Sequence, residues 1–409
     1  MRSSFRWTMA LFVAALAARV HAATEITVAI HSNIEEAVKA AIPAFEKAHP
    51  DVKVKLVPRA FGAHNKVLKD ALESGSDLPD VVGIETGFLQ TFSATGALED
   101  LAAQPYQARP LLPQVLGFAV PLATPGQHIW AIPSDVGPGT LFYRKDVLDN
   151  AGVTEEELTR SWDSYIEAGK KVKAATGAYL FPDVQTLKDI YIRNGLKEGE
   201  GIFFDAKGEP VVDSPRFQQA FALARKAREA GVDGNVEMWT QVWVNHLDTG
   251  TIATQPLGSW FGWHLEEWLS PKTSGQWRVA QLPNGAFATW GGDYLAIPSK
   301  AAHKTEGWEF IEFLCFDKGQ QVLAFQKSGM WPALKAAQDD PFIDEAVSYF
   351  GEQKARQLWK VAASRMPTLV VTDRDGAAAR AVYKALKRVL EKGEDIDKAL
   401  AEAKKELKK

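Results

Sequence analysis

The chain of 409 residues holds a single cysteine, Cys315, so no disulfide can form within it. An oxidising compartment adds nothing to its stability, and the fold has to rest on a hydrophobic core, which a chain of this length can supply. Cys315 lies in Trp308-Glu309-Phe310-Ile311-Glu312-Phe313-Leu314-Cys315-Phe316, an apolar helical stretch in which a buried, inert thiol is expected. Long apolar runs are missing too, and no window after the N-terminal stretch approaches the roughly 20 apolar residues of a membrane helix. Metal chemistry finds little support: His31, His49, His64, His128, His246, His264 and His303 are scattered, with no pair at the spacing of a zinc helix, and no cofactor is expected. The Gly-x-Ser-x-Gly turn of a serine hydrolase is absent from Leu257-Gly258-Ser259-Trp260-Phe261, and Gly137-Pro138-Gly139 has neither a Walker lysine nor dinucleotide-binding spacing. There is no basic excess, with 47 Lys and Arg against 51 Asp and Glu, which argues against nucleic acid as a partner. The basic run Lys404-Lys405-Glu406-Leu407-Lys408-Lys409 reads as a solvated helix end.

The first 22 residues read as an export signal. Arg2 and Arg6 supply the positive region, Met9 to Ala18 the apolar stretch, too short to span a bilayer, and Val20-His21-Ala22 a small-residue cleavage site. Cleavage near Ala22 removes Arg2, Arg6 and Arg19 and takes the net charge from −4 to −7. No cysteine follows the cleavage site, which argues for a free periplasmic protein of a double-membrane bacterium rather than a lipid-anchored one.

Tryptophan is what the chain has in plenty. Seven of its 13 fall between Trp239 and Trp290: Trp239, Trp243, Trp260, Trp263, Trp268, Trp277 and Trp290. Any one of them is more often core than ligand plate. Their density and their glycine neighbours change the reading. In Gly258-Ser259-Trp260-Phe261-Gly262-Trp263 the glycines remove side chains that would cover the rings, and in Trp290-Gly291-Gly292-Asp293 they let backbone approach a ligand or bend at a hinge. An indole left open in a cleft is a flat, rigid, apolar plate suited to the C–H face of a sugar ring.

Along the chain, strand and helix alternate. Glu25 to Ile30 is a β-branched strand, followed by a helix with Ile34, Val38, Ile42 and Phe45 on one stripe; Val52 to Val57 and Asp80 to Ile84 follow in the same way. This pattern predicts a parallel sheet with helices on both faces and ligands beyond the carboxyl ends of its strands, where His31, Ser32, Asn33, Glu85 and Thr86 fall. The glycines and proline of Ser134 to Gly139 interrupt one extended path and fit a crossover between lobes. Beyond Lys145 the chain is richer in helix, including one from Phe217 that Gly231 stops, and Asp293 to Pro298 returns to strand. There are no repeats and no low-complexity tracts.

These pieces resemble the extracellular solute-binding proteins of bacterial ABC importers, in the carbohydrate-binding group that includes maltose-binding protein. The resemblance spans the mature chain and is carried, in order, by Ala44-Phe45-Glu46-Lys47-Ala48-His49-Pro50, Leu78-Pro79-Asp80-Val81-Val82, Gly96-Ala97-Leu98-Glu99-Asp100-Leu101, Trp130-Ala131-Ile132-Pro133, Leu141-Phe142-Tyr143-Arg144-Lys145-Asp146, Ser161-Trp162-Asp163 and Gly291-Gly292-Asp293-Tyr294-Leu295-Ala296-Ile297-Pro298. It implies an α/β fold of two lobes, each a sheet flanked by helices: 23–135 with 292–330, and 136–291 with 331–409. Three hinge crossovers would lie near Ser134–Gly139, Ala288–Asp293 and Lys327–Pro332. It implies a monomer that closes around a sugar and meets a membrane permease. Relatives carry an aromatic ring after the third strand, where this chain has Glu85, a residue able to accept a pair of sugar hydroxyls. The ring of their second lobe aligns with Trp260. Trp290, Trp331 and Trp263 are the further indole candidates; Asn33, His64, Asn65, Asp135, Gly292, Asp293 and Arg374 are the polar and backbone ones. Two other readings stay open. An exported glycosidase would need only two carboxylates about 5 to 9 Å apart, and Glu266, Glu267 and Asp293 lie near the tryptophans. A binder of a polyamine, phosphodiester or peptide is the other.

Overall fold

The computed structural model describes residues 23–408, so the export-signal reading lies outside the described residues. Ten strands follow in chain order: β1 Thr24–His31, β2 Val52–Arg59, β3 Val81–Glu85, β4 Ile132–Pro133, β5 Asp135–Val136, β6 Gly139–Arg144, β7 Thr254–Gly258, β8 Trp277–Ala280, β9 Asp293–Ala296 and β10 Trp331–Pro332. They form a five-stranded sheet in the order β2-β1-β3-β9-β4, a three-stranded sheet β7-β6-β8 and a two-stranded ribbon β10-β5. The expected parallel pairing holds for β1 with β2 and β3, but β9 joins β3 antiparallel and the β7-β6-β8 sheet is antiparallel throughout. The reason is topological. Strands joined by a local helix crossover stay parallel, whereas β9 belongs to a segment returning from the other half of the molecule and enters from the opposite end.

Each large sheet is buried under helices. On the first, Ile26, Val28 and Ile30 of β1, Val81 of β3 and Leu295 of β9 pack with Phe45, Phe310 and Ile311 from the helices Glu35–Ala48 and Lys304–Phe316. Cys315 is fully buried in this core, and burial pushes its thiol up, out of the reactive range. The second half packs Leu141 and Ala280 with Tyr165, Ile166, Phe217, Phe221, Val382, Leu386 and Leu400. Its helices start where local chemistry says they should: Ser161 and Ser164 make a reciprocal capping box at the head of Trp162–Thr176, and Pro215 opens Pro215–Glu229. Truncating a ring such as Phe221 in this core costs about 3–5 kcal/mol. Among the described residues no helix is long and apolar enough to cross a membrane.

Three chain crossings join the halves, and two of them pair. In the β5–β10 ribbon Val136 lies opposite Trp331 and Asp135 opposite Pro332. This corrects one sequence expectation. Trp331 is no ligand plate: it has no exposed surface and is packed edge-on against Phe325 and Trp359. Pairing with β5 turns its ring inward, where its place at the expected third crossover had made it an indole candidate.

Candidate functional site

The polar side of the site is a product of strand register. Glu85 ends β3 and Asp293 begins β9, and the antiparallel register sets these two carboxylates opposite each other. Like charges directly opposed across a pair of strands are unfavourable. The conflict is offset by His31, at the end of the neighbouring β1, whose Nε2 donates to Asp293 Oδ1 at 2.7 Å. Burial pulls the His31 imidazole down, but the charge of Asp293, the hydrogen bond to it and the charge of Glu85 together hold it above its ordinary value. At Glu85, burial and the neighbouring carboxylate push up more strongly than the same imidazole pulls down. Burial, then the charge of Asp293, pushes its carboxyl up to about 7, although its Oε2 accepts the Gly87 N–H at 2.7 Å and caps the helix Thr86–Ser93. Asp135 on β5 is buried behind them, accepting the Asp293 N–H at 2.9 Å, and burial followed by the Asp293 charge holds it well above the usual carboxylate range.

The apolar side is a cluster of indoles around one imidazole. Trp260 follows β7, and its Nε1 donates to the carbonyl of Trp290 at 2.7 Å, which fixes its plane. Trp239 stacks on it, with ring centroids 5.8 Å apart and 25° between planes. Trp239 has a left-handed backbone, φ +68°, and half its surface (51%) is exposed. A bulky residue in that region is strained, and here the strained backbone holds an uncovered indole against Trp260. Trp268, 53% exposed, donates from Nε1 to His264 Nδ1 at 2.8 Å. Burial pushes His264 down to about 4, so the imidazole is neutral near pH 7 and accepts that bond.

Two glycines make this assembly sterically possible. A Cβ on Gly137 would lie 1.7 Å from the Trp290 carbonyl oxygen that Trp260 uses. Gly292 has φ +106°, and a Cβ there would meet the Asp135 carbonyl oxygen at 2.9 Å. The Gly291-Gly292 turn is clasped by Thr86, whose N–H and Oγ1 both donate to the Gly292 carbonyl, at 3.0 and 2.7 Å.

Charged and indole sides face one cavity of about 610 Å³, within the range of about 300–1,000 Å³ usual for small-molecule sites. Of the sequence candidates, Asn33, Glu85, Asp135, Trp260, Trp290, Gly292 and Asp293 line it. The others are elsewhere. His64 is 1% exposed, its Nε2 donates to the Gly83 carbonyl, and it lines a separate cavity of about 260 Å³ beneath the helix Phe61–Ser74. Asn65, on the inner face of the same helix, donates to the carbonyl of Phe61. Trp263 packs against Gly329, where a Cβ would come within 2.6 Å of it. Arg374 lies over the Phe204 ring at 4.2 Å and donates to the carbonyls of Gly208 and Leu407, so it ties down a helix end instead of meeting a ligand. His31, at a strand end, and Trp239 and Trp268, in the tryptophan run, were noted in the sequence but not singled out as ligand contacts; nor were Phe61, Phe88 and His264, and all of these also line the cavity. His31 at a strand end and the density of tryptophans were the available signals. Among the described residues no group of three or more His, Cys, Asp or Glu side chains is arranged to hold a metal ion.

Two α/β halves linked by three crossings, with a ligand-sized cavity lined from both, define a two-lobed solute-binding protein. The chain belongs to the bacterial extracellular solute-binding protein family, whose family model matches residues 31–321. It is similar to a lactose-binding protein of Rhizobium radiobacter, 27% identical over 88% of this chain and 86% of that protein. It is also similar to an arabinooligosaccharide-binding protein of Halalkalibacterium halodurans, 24% identical over 76% of this chain and 72% of that protein. Among solved structures, the fold matches the sugar-binding protein MalE from Xanthomonas citri with a TM-score of 0.76 at 20% identity, covering 94% of this chain and 96% of that one. A binding protein from B. animalis subsp. lactis in complex with β-1,6-galactobiose matches with a TM-score of 0.75 at 23% identity, covering 94% and 97%.

Proposed function

We propose that this protein is a periplasmic sugar-binding protein: it is exported with cleavage near Ala22, captures a mono- or oligosaccharide as a monomer, and delivers it unaltered to an ABC import permease. The observation that carries this reading is the 610 Å³ cavity between two unlike walls. Indole plates cover the C–H faces of a sugar, while carboxylate oxygens accept its hydroxyls in charge-assisted bonds. The printed functions of the lactose- and arabinooligosaccharide-binding relatives support the same class of solute. Trp260, Trp290 and Glu85 are the contacts we assign, with Asn33, Trp239 and Trp268 at the rim and Asp293, Asp135 and Gly292 behind.

We place the lobes at 23–135 with 292–330 and at 136–291 with 331–409. Closure turns one against the other at the three crossings, and a ligand favours the closed state only by its better contacts there. The test is a thermal-shift screen of mono-, di- and oligosaccharides followed by calorimetry. A true ligand at 100 times its Kd adds about 2.7 kcal/mol to the folded state. Recovery of that sugar intact after long incubation separates a carrier from a glycosidase, whereas the appearance of hydrolysis products overturns the binding-protein reading.

A further inference from the structure

The ionisable groups around the cavity are Glu85, Asp135, Asp293, His31 and His264; no lysine or arginine of the described residues lines it. Their commitments differ. Asp293 is paired with His31, and Asp135 is 3% exposed and taken up by the Asp293 N–H, so each acts on a ligand chiefly through its field. His264 already accepts from Trp268. Glu85 is different, because only its Oε2 is engaged, by Gly87. Its Oε1 and the Nε1 edge of Trp260 border the same corner of the cavity, the one at Gly291: a Cβ there would be 3.3 Å from Trp260 Nε1 and 4.0 Å from Glu85 Oε1. The missing side chain of Gly291 leaves that corner open.

A carboxylate oxygen accepts hydroxyl and ammonium protons, and indole faces on the opposite wall of the cavity attract a cation. A ligand carboxylate offers acceptors only. In this corner it would meet the Glu85 carboxylate directly, beside an imidazole, His31, that Asp293 already engages, in a site poorly screened by water. Building on the sugar reading above, we infer that the cavity selects by charge: it takes uncharged and amine-bearing glycosides and turns acidic sugars away, and Glu85 is the residue that imposes the choice.

The experiment offers the purified protein a pooled hydrolysate of plant and fungal polysaccharides that contains neutral, uronate-bearing and glucosamine-bearing oligosaccharides of matched length. Native mass spectrometry compares the bound pool with the free one. Uronate-bearing species should be depleted on the order of tenfold or more, as repulsive pairing in an interface implies, and Glu85→Gln should restore most of that loss. Glutamine keeps an oxygen for the Gly87 N–H, so the helix cap survives. A second arm needs no variant. Glu85 faces His31 on β1, Asp135 on β5 and Asp293 on β9, with His264 across the cavity. Lowering the pH from 8 to 5.5 protonates Glu85 and adds charge to His31, both of which should relax the rejection of uronates. Parity of uronate-bearing and neutral species at pH 8 overturns the inference alone. Undiminished rejection in Glu85→Gln overturns the role of Glu85. If no saccharide in the pool is captured, the sugar reading falls and takes the inference with it.

Discussion

The two walls of the cavity are built from opposite materials and by opposite means. One is a row of strand ends, in which register alone puts Glu85 across from Asp293 and His31 beside them. The other is a set of indoles on loops and short helical turns, held by side-chain hydrogen bonds from Trp260 to Trp290 and from Trp268 to His264. A sheet end positions polar atoms rigidly, which suits the reading of hydroxyls, and loop-borne rings supply apolar area that tolerates variation in what lies against them. On the proposed reading, the charged wall governs which solute is admitted and the indole wall how tightly it is held.

Substitutions can break that contrast. The largest effect is expected at Gly137, where an added methyl group would drive into the Trp290 carbonyl and unseat Trp260 as well. Gly137→Ala should destabilise the fold by about 3 kcal/mol and weaken binding; an unchanged melting curve would mean that the crossing yields freely. Trp260→Ala should weaken sugar binding by about 1–3 kcal/mol by calorimetry with the circular dichroism spectrum unaltered, and full affinity would remove this ring from the site.

The charged wall should announce itself in the pH dependence of stability. The carboxyl of Glu85 sits at about 7 in the folded protein against an ordinary 4.5, so the native state holds the proton longer than the unfolded one. Its contribution is therefore most favourable below about pH 4.5 and is lost as pH rises to about 7, at a cost on the order of 3 kcal/mol. Glu85→Gln should remove that decline from chemical-denaturation curves taken between pH 5 and 8, and an identical slope in both proteins would place the penalty elsewhere. The smallest effect belongs to Arg374. Arg374→Ala should leave sugar affinity untouched and cost about 0.5–1 kcal/mol of stability, through its stacking on Phe204 and its bonds to the Gly208 and Leu407 carbonyls. Lost affinity would return it to the site.

How far each wall could be read in the residues follows from its construction. Strand ends are legible because alternation marks the strand and the next polar residue marks its end, which is how Glu85 came into view; Asp135 came through the family resemblance, and Asp293 through its place after Trp290 and the glycine pair. Trp260 and Trp290 stood out through their glycines. Trp239 was hidden because a left-handed backbone at a tryptophan leaves no local signature, and Trp268 because its seat depends on His264 one helical turn before it. Trp331 and Arg374 misled for the same reason in reverse. A two-residue ribbon turns one into the core, and the Leu407 carbonyl, 33 residues away, captures the other. The mixed order of the first sheet also escaped, since alternation reports local crossovers and says nothing of a strand that returns from 200 residues downstream.

The sealed position of Cys315 has a practical side. With the sole native thiol closed off inside a core, a cysteine engineered at the half-exposed position of Trp239 would be the one group open to a maleimide dye. A fluorophore attached there would sit at the mouth of the cavity and turn the protein into a reagentless optical sensor for whatever it captures.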